Sequence, residues 1–408
     1  MQVRDRTGHI VTELCLWELK SGSVTEKFVI RIYFYRVTTG DISLRSLFVT
    51  DSPCRNINSP LFIAFYPALL YNHNNLIKRK FHMIFRAPSY YYDFHCIADK
   101  CKDNCCIGWE IDIDDITLEK YLSLGGSFGE RLRSSISTEN PSFIPDKSGR
   151  CPFLNKDNLC DIILSSGEDF LCDICNNHPR YFEWFGDVKE GGIGLSCEES
   201  ARIILSSPFL LTEKEIKDEE TEYPDDENLF DFLFLAREKI FSYLSDENIP
   251  LENALSDIYE YGLVLEDAVF DGDFNAPEIK SVGEKLSFDI NKALCFLLTL
   301  EKLSPEWEPY ILSMKESYKG EDFFIRETEK YLRNIAIYFV FRYFLKSCYD
   351  GDIVPYINLM TTSIFILAFL FSKGDLSLEN CSEIAKNFSK EIEYSEENLE
   401  ALSFETLF

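Results

Sequence analysis

The sequence has little positive charge for its length. Its 408 residues include 41 Lys and Arg against 69 Asp and Glu, which gives a formal net charge of −28. A protein that binds nucleic acid neutralises phosphates with Lys and Arg, so we do not expect a nucleic-acid partner. Such acidity suits a partner that is basic or that presents a lysine, and it equally suits simple solubility.

Apolar segments that could target or anchor the chain are also scarce. Met1–Lys20 has scattered charges and no apolar stretch, so a secretory signal is not expected there. The longest apolar run, residues 353–371, contains Pro355 and Asn358 and is barely long enough to cross a bilayer, which favours a buried core helix. We therefore expect a cytoplasmic protein without a membrane partner, in which clustered thiols bind metal rather than form disulfides.

Several motifs that define known enzyme classes are missing. The chain contains neither a Gly-x4-Gly-Lys-Ser/Thr phosphate loop nor a His-Glu-x2-His zinc motif. The radical-enzyme pattern Cys-x3-Cys-x2-Cys is broken, because Gly108 stands where the third cysteine would be. The glycine-rich stretch Gly191–Gly194 has no clear βαβ pattern around it, so a plain turn is expected there rather than a cofactor loop.

Cysteine is the residue type that the sequence concentrates. Nine of its 14 cysteines lie between residues 96 and 197. The predicted metal ligands are Cys101, Cys105, Cys106, Cys151, Cys160, Cys172, Cys175 and Cys197. A structural zinc ion takes four ligands in a tetrahedron, and an iron–sulfur cluster takes about four thiolates. Spacing alone decides neither the metal nor which four thiols share it, and His178 is a further candidate ligand or proton carrier.

Charge and periodicity divide the chain into three predicted segments, with boundaries after residues 82 and 212. Residues 1–82 have a net charge of +5, and their run Phe28–Tyr35 predicts a strand. They form an atypical extension, for which a charge break this sharp leaves two interpretations. One is a basic arm, and the other, our hypothesis, is that the native protein begins at Met83. Residues 83–212 are the predicted Cys-rich metal or iron–sulfur domain, and residues 213–408 are an acidic linker followed by helices. The predicted class is mainly α with a small β/loop Cys-rich metal-binding domain (α+β) and a helical C-terminal domain.

Local patterns refine this division. Trp109–Asp114 alternates apolar and acidic residues, which predicts a half-buried strand with its carboxylates on one face. A helix capped by Asp115 or Thr117 is expected next. The remaining predicted helices are Asp161–Leu164, Glu198–Leu205, Leu229–Leu244, Leu251–Leu263, Glu284–Leu303, Phe323–Ser347, Tyr356–Phe371 and Ser377–Asn387.

The ordered cysteine segments resemble the flagellin lysine-N-methylase family. The matching segments are Tyr90–Trp109, Cys151–Cys160, Leu171–Arg180, Leu195–Arg202, Ser389–Glu393 and Ser395–Leu399. The resemblance runs from Met83 to the C-terminus and leaves residues 1–82 uncovered. The chain departs from the family at His178-Pro179-Arg180, where the family usually has Tyr-Pro-Arg. It departs again at Glu198, where the family usually has Pro.

The resemblance implies an enzyme that transfers methyl groups from S-adenosylmethionine (SAM) to flagellin lysines. It also implies a bound iron–sulfur cluster of the 4Fe-4S kind, with zinc as the alternative. Candidate catalytic residues are Tyr91, Asp112, Asp114 and Arg180, and candidate cofactor-binding residues are Arg180 and Arg202, whose guanidiniums could hold a carboxylate. The alternative function is a zinc- or iron-binding interaction module without catalysis.

Overall fold

The computed structural model describes residues 83–108, 110–137, 139–217, 226–405 and 407–408 and, upstream of these, only four backbone strands. The chain divides into two compact units, Met1–Lys80 and Phe81–Phe408. The strands of the first unit are β1 Gln2–Arg4, β2 Ile10–Ser21, β3 Val24–Arg36 and β4 Ile42–Val49, antiparallel and in this order. The predicted strand Phe28–Tyr35 is confirmed, because it lies within β3. The other expectations about residues 1–82 lie outside the described residues.

A second four-stranded sheet is the base from which the cysteine-rich segment departs. Its strands are β5 Met83–Pro88, β6 Arg180–Phe185, β7 Val188–Ile193 and β8 Leu211–Ile216, in the order β6-β7-β5-β8. Strand β5 is parallel to β7 and antiparallel to β8. Parallel neighbours need a long connection, and here residues 89–179, followed by β6, lead from β5 to β7. Both ends of the cysteine-rich segment are therefore fixed to one sheet.

The cysteine-rich crossover has a small hydrophobic core of its own. Its helices are α1 Asp115–Ser123, α2 Gly126–Ser134, α3 Asp161–Ser166 and α4 Asp173–Asn177. Phe153 is fully buried in this core with its ring centroid 5.0 Å from that of Phe143, and the fully buried Cys172 belongs to the same cluster. Cores this small are often reinforced by metal ions or other cross-links.

The remaining helices pack around one apolar helix. In chain order they are α5 Glu198–Ser206, α6 Glu227–Ser245, α7 Leu251–Asp271, α8 Ile290–Leu297, α9 Trp307–Ser317, α10 Arg326–Tyr343, α11 Ser347–Asp350, α12 Val354–Ser372, α13 Leu378–Glu393 and α14 Glu396–Phe404. Helix α12 contacts α7, α8, α10, α13 and α14. Because α12 is apolar on every side, it is stable only when neighbours surround it. This arrangement confirms the α+β class.

Helix α12 is long and apolar enough to cross a membrane, judged by length and composition alone. However, 83% of its apolar window is buried inside the protein, so the predicted core helix is confirmed. A carboxylate oxygen of Glu266 accepts hydrogen bonds from the backbone N–H groups of Ile353 and Val354 and satisfies this helix end. The buried Asn358 donates to the carbonyl oxygens of Ser403 and Glu405 and ties the end of the chain to α12.

Local predictions for the segment after the first thiols and for the linker are wrong. Of the predicted strand Trp109–Asp114, the described residues 110–114 form only an isolated bridge, from Asp112 to Ser142. The N-cap of α1 is Asp114, whose side chain accepts from the Thr117 N–H. Alternation signals a strand only when a neighbouring strand is present to pair with it along its length. The predicted acidic linker from residue 213 also begins inside β8, and residues 218–225 lie outside the described part.

The plain turn predicted at Gly191–Gly194 is wrong, because Gly191 and Gly192 lie within strand β7, where they serve packing. An added Cβ on Gly191 would lie 2.6 Å from the Phe85 ring, so we expect Gly191→Ala to destabilise the protein by about 1–3 kcal/mol through overpacking. Urea unfolding measures this change. The control is Gly125→Ser at the N-cap of α2, where φ is −82° and the added atoms meet open space. Equal stability of the two variants would contradict the prediction.

Candidate thiol-rich functional site

Loops of the crossover bring thiols from distant parts of the sequence together. The Cys151 N–H donates to the Cys106 carbonyl oxygen at 2.8 Å, which joins the first cysteine loop to the second. The Leu154 N–H donates to the Cys151 carbonyl oxygen at 3.1 Å, and Leu154 also forms a bridge with Cys160. The Tyr121 hydroxyl donates to the Phe170 carbonyl oxygen at 2.6 Å and holds the segment that leads to Cys172. No cysteine in the described part of the chain forms a disulfide.

Two pairs of thiols share hydrogen bonds, which separates the pKa values within each pair. The bond from Cys106 lowers the pKa of Cys105 to about 5, against the effect of burial, and His178 lowers it further. The same bond and burial raise the pKa of Cys106. The bond from Cys175 likewise lowers the pKa of Cys172. Each pair therefore holds one thiolate more easily than two isolated thiols would.

The other candidate thiols lie within electrostatic range of these pairs. Burial raises the pKa of Cys151 and Cys160, and the charge of Cys172 acts on both. Burial also raises the pKa of Cys197, and the charge of Cys105 raises it further. Even so, among the residues that the structure describes, no group of three or more His, Cys, Asp or Glu side chains could hold a metal ion as arranged. The donor chemistry suits a thiolate-bound metal, and the predicted ligand set stays a prediction.

The loop that carries Cys101 is held by charged residues of two helices. Glu198, at the start of α5, accepts from the Lys102 N–H at 2.7 Å and from the Cys101 thiol at 3.4 Å. Asp103 forms ion pairs with Lys390 at 2.6 Å and Lys386 at 3.2 Å, both on α13. Burial raises the pKa of Cys101 to about 12. The helical region therefore positions the first cysteine loop directly.

Two of the predicted catalytic residues are neighbours at the base of the crossover. The Arg180 guanidinium lies 5.3 Å from the Tyr91 ring centre and 5.2 Å from that of Phe94, and it donates to the Phe94 carbonyl oxygen at 3.4 Å. Burial raises the pKa of Tyr91, whereas Arg180 opposes this shift. Arg180 therefore lies where strand β6 begins, next to the loop that precedes the first thiols.

The other predicted catalytic and cofactor-binding residues lie elsewhere. Asp112 is exposed. Partial burial favours a higher pKa for Asp114, but hydrogen bonds from the Asp173 and Thr117 N–H groups hold it below its usual value. Arg202, with 47% of its side chain exposed, pairs with Glu199 one turn away on α5. The geometry brings Asp114 close to the Cys172 loop and leaves Asp112 and Arg202 at the surface.

A groove of about 500 Å³ runs beside the Cys172–Cys175 loop. Its lining residues are Asp114, Ile116, Thr117, Lys120, Glu168, Asp169, Leu171, Asp173 and Asn176. Four of these side chains are carboxylates against a single lysine. A groove with this balance attracts a cationic side chain such as that of lysine.

Sequence reasoning missed a buried polar network behind the last thiol. Glu393, whose side chain is 1% exposed, accepts from the Tyr338 hydroxyl at 2.8 Å, the Tyr343 hydroxyl at 2.7 Å and Arg342 at 2.7 Å. Its second oxygen accepts from Ser389 at 2.6 Å. The tyrosines of α10 have the spacing of ordinary core residues, which hid them. The tail motif Ser389–Glu393 carries part of the family resemblance and contains two members of this network. It was the one signal in the sequence that pointed to the network.

The low pKa of Cys105 predicts selective alkylation in the metal-free protein. Because its pKa is about 5, the Cys105 thiol is a thiolate above about pH 5 and is protonated below it. Iodoacetamide at pH 6 should therefore modify Cys105 before the exposed Cys295. His178→Phe should raise the midpoint of this reaction, since His178 favours the thiolate. Peptide mass spectrometry across pH 4–9 measures both, and faster modification of Cys295 at pH 6 would contradict the prediction.

These features define an α+β protein in which a helical region positions a cysteine-rich crossover. Residues 213–405 match a family model described as the FliB lysine N-methylase C-terminal domain. The chain is 29% identical over 139 residues to proteins named Lysine-N-methylase from Salmonella choleraesuis and Salmonella typhimurium. It is 28% identical over 129 residues to the Flagellar biosynthetic protein FliU of Salmonella muenchen. The resemblance to the flagellin lysine-N-methylase family is thereby confirmed.

The extent of these matches is limited. Each Lysine-N-methylase alignment spans 32% of this chain and 35% of the relative, so the chain matches about a third of the length of those two proteins. The FliU alignment spans 30% of this chain and 76% of that protein. No solved structure matches the chain. At the level of the family, the relatives' names support methylation of lysine.

Proposed function

We propose that this protein is a cytoplasmic lysine N-methyltransferase that moves methyl groups from SAM to flagellin lysines and uses its thiols to hold an iron–sulfur cluster. The observation that carries the proposal is the match of residues 213–405 to a lysine N-methylase domain. Helix α13 of that matched region binds the Cys101 loop through Lys386 and Lys390. The first cysteine loop and the matched region are therefore in direct contact, as the proposal requires.

The acidic groove beside Cys172 suits a lysine substrate. Asp114, Asp169 and Asp173 would attract the protonated amine, whose ordinary pKa is about 10.4. The amine must lose its proton before it can attack, and a neighbouring carboxylate can accept that proton as the amine leaves water. The nitrogen lone pair then forms a bond to the methyl carbon while the carbon–sulfur bond breaks. The positive charge moves from the sulfonium to the substrate nitrogen, and the methylated nitrogen becomes neutral when it gives a proton to water or to a carboxylate of the groove.

The thiols supply the donors that a cluster needs. Cys105, Cys106, Cys172 and Cys175 form two hydrogen-bonded pairs, and Cys151 lies within electrostatic range of them. Clustered thiolates repel one another, so a bound cation stabilises their deprotonated form. When bound, an iron–sulfur cluster would join the crossover loops and supply a redox-active iron centre.

Methylation of purified flagellin tests the proposed reaction. The full chain, reconstituted anaerobically with iron and sulfide, is incubated with SAM and flagellin, and intact-mass and peptide spectra are recorded. We expect methyl groups on lysine side chains and equimolar S-adenosylhomocysteine. Flagellin with acetylated lysines is the control. Unmodified flagellin, together with protein that binds only zinc, would contradict the proposal and favour the interaction module.

Variants of the groove separate substrate binding from chemistry. We expect Asp169→Asn with Asp173→Asn to raise the KM for flagellin severalfold, because the groove loses two negative charges. The KM for SAM should change little. The control is Asp246→Asn at the end of α6, an exposed carboxylate outside the groove. A KM for flagellin that is unchanged in the double variant would exclude the groove as the lysine site.

A further inference from the structure

Arg342 differs from an ordinary buried ion-pair residue because one edge of its guanidinium is unused. One terminal nitrogen donates to Glu393 at 2.7 Å and to the Tyr338 hydroxyl at 2.5 Å. Within the described residues, its Nε and other terminal nitrogen donate no hydrogen bond. The Arg342 side chain keeps 20% of its surface exposed, while that of Glu393 is 1% exposed. The carboxylate side of the pair is therefore sealed, while part of the Arg342 side chain stays in contact with water.

Two other arginines show what a purely structural role looks like in this protein. Arg237 is fully buried and holds Glu190 with both terminal nitrogens, at 2.7 Å and 2.5 Å. Arg333 is 5% exposed and donates to the Leu244 carbonyl oxygen, the Ile249 carbonyl oxygen and Glu329. Both use two terminal nitrogens for partners inside the protein. Arg342 keeps the edge formed by Nε and the second terminal nitrogen, which is the geometry that binds a carboxylate in bidentate fashion.

Arg342 lies next to the turn that carries the last thiol. The guanidinium lies 4.4 Å from the centre of the Tyr181 ring, which fixes its plane. An added Cβ on Gly194 would lie 3.7 Å from the terminal nitrogen of Arg342 that pairs with Glu393, so Arg342 abuts the turn that ends at Cys197. Within that turn, the Ser196 hydroxyl donates at 2.8 Å to the hydroxyl of Tyr394, which is 43% exposed.

We propose that the free edge of Arg342 binds the carboxylate of the methionine end of the methyl donor. This inference rests on the proposed function, in which SAM is the donor, and it assigns a donor-binding residue that the sequence did not indicate. Glu393 and Tyr338 hold the guanidinium in place, and the Tyr181 ring supports its face. A guanidinium oriented in this way loses little freedom on binding, which favours selective recognition of a planar carboxylate.

Binding of two product analogues tests the proposal on the unaltered protein. Calorimetry compares S-adenosylhomocysteine with its decarboxylated analogue, which lacks only the carboxylate. We expect the first to bind about 30-fold more tightly, the usual contribution of a charge-assisted hydrogen-bond pair. Equal affinities would overturn the inference and leave the methyltransferase proposal standing. If neither compound binds the reconstituted protein, SAM is not the donor, and both proposals fail.

Arginine variants locate the effect. Arg342→Lys should reduce the 30-fold preference to about threefold, because an ammonium cannot make the bidentate contact. The matched control, Arg333→Lys on the same helix, should keep the full preference. If Arg342→Lys does not fold, the experiment uses the double variant Arg342→Gln with Glu393→Gln, which removes both charges together. A full preference in either Arg342 variant would overturn the inference.

Discussion

Replacement of Cys172 by serine is expected to abolish bound iron and to lower flagellin methylation by more than about 100-fold. Loss of residues that merely support a metal ligand typically costs 10–100-fold, so loss of a ligand should cost more. Cys172 is fully buried in the crossover core, and the hydrogen bond from Cys175 lowers its pKa. Serine has nearly the same size, so the packing of this core should survive while the thiolate is lost.

Iron content, inorganic sulfide and methylation rate should be measured on the same anaerobic sample. The control is Cys295→Ser, which alters an exposed thiol on α8 outside the crossover. Full iron content and activity in Cys172→Ser would remove this thiol from the ligand set. Retained iron with lost activity would instead indicate that the chemistry, and not metal binding, needs Cys172.

Removal of Arg237 should produce the largest loss of stability. Arg237→Met leaves Glu190 of β7 buried and unpaired, which costs about 3–5 kcal/mol in comparable ion pairs. The guanidinium also lies 5.4 Å from the ring centres of Phe234, Phe241 and Phe341, so its position between α6 and the sheet is fixed on several sides. Urea unfolding followed by circular dichroism measures the change.

A second substitution separates the cost of an unpaired charge from lost packing. Arg237→Met combined with Glu190→Leu should recover much of the stability, because no charge is then left buried. The control is Lys285→Met, which breaks an exposed pair with Glu252 and should cost less than about 1 kcal/mol. A double variant no more stable than Arg237→Met would show that packing, not charge, sets the cost.

Local sequence patterns were sufficient to predict helices whose start and end signals lie within a few residues of their ends. The helix Glu198–Ser206, the short helix Asp161–Ser166 that ends at Gly167 and the apolar helix Val354–Ser372 were all predicted close to their actual bounds. Each depends on periodicity and caps within a few residues. The strand expected at Trp109–Asp114 was wrong, because alternation in sequence does not provide a partner strand.

The sequence by itself determined the concentration of thiols between residues 96 and 197, the helical character of the C-terminal half and the family resemblance. These properties depend on residue types and their spacing along the chain. Only the tertiary structure decided which side chains meet across the chain. It joins Asp103 to Lys390, 287 positions away, and Arg342 to Glu393, 51 positions away, through side-chain hydrogen bonds. Such pairs depend on how helices pack, and packing responds to the whole buried surface rather than to any local pattern.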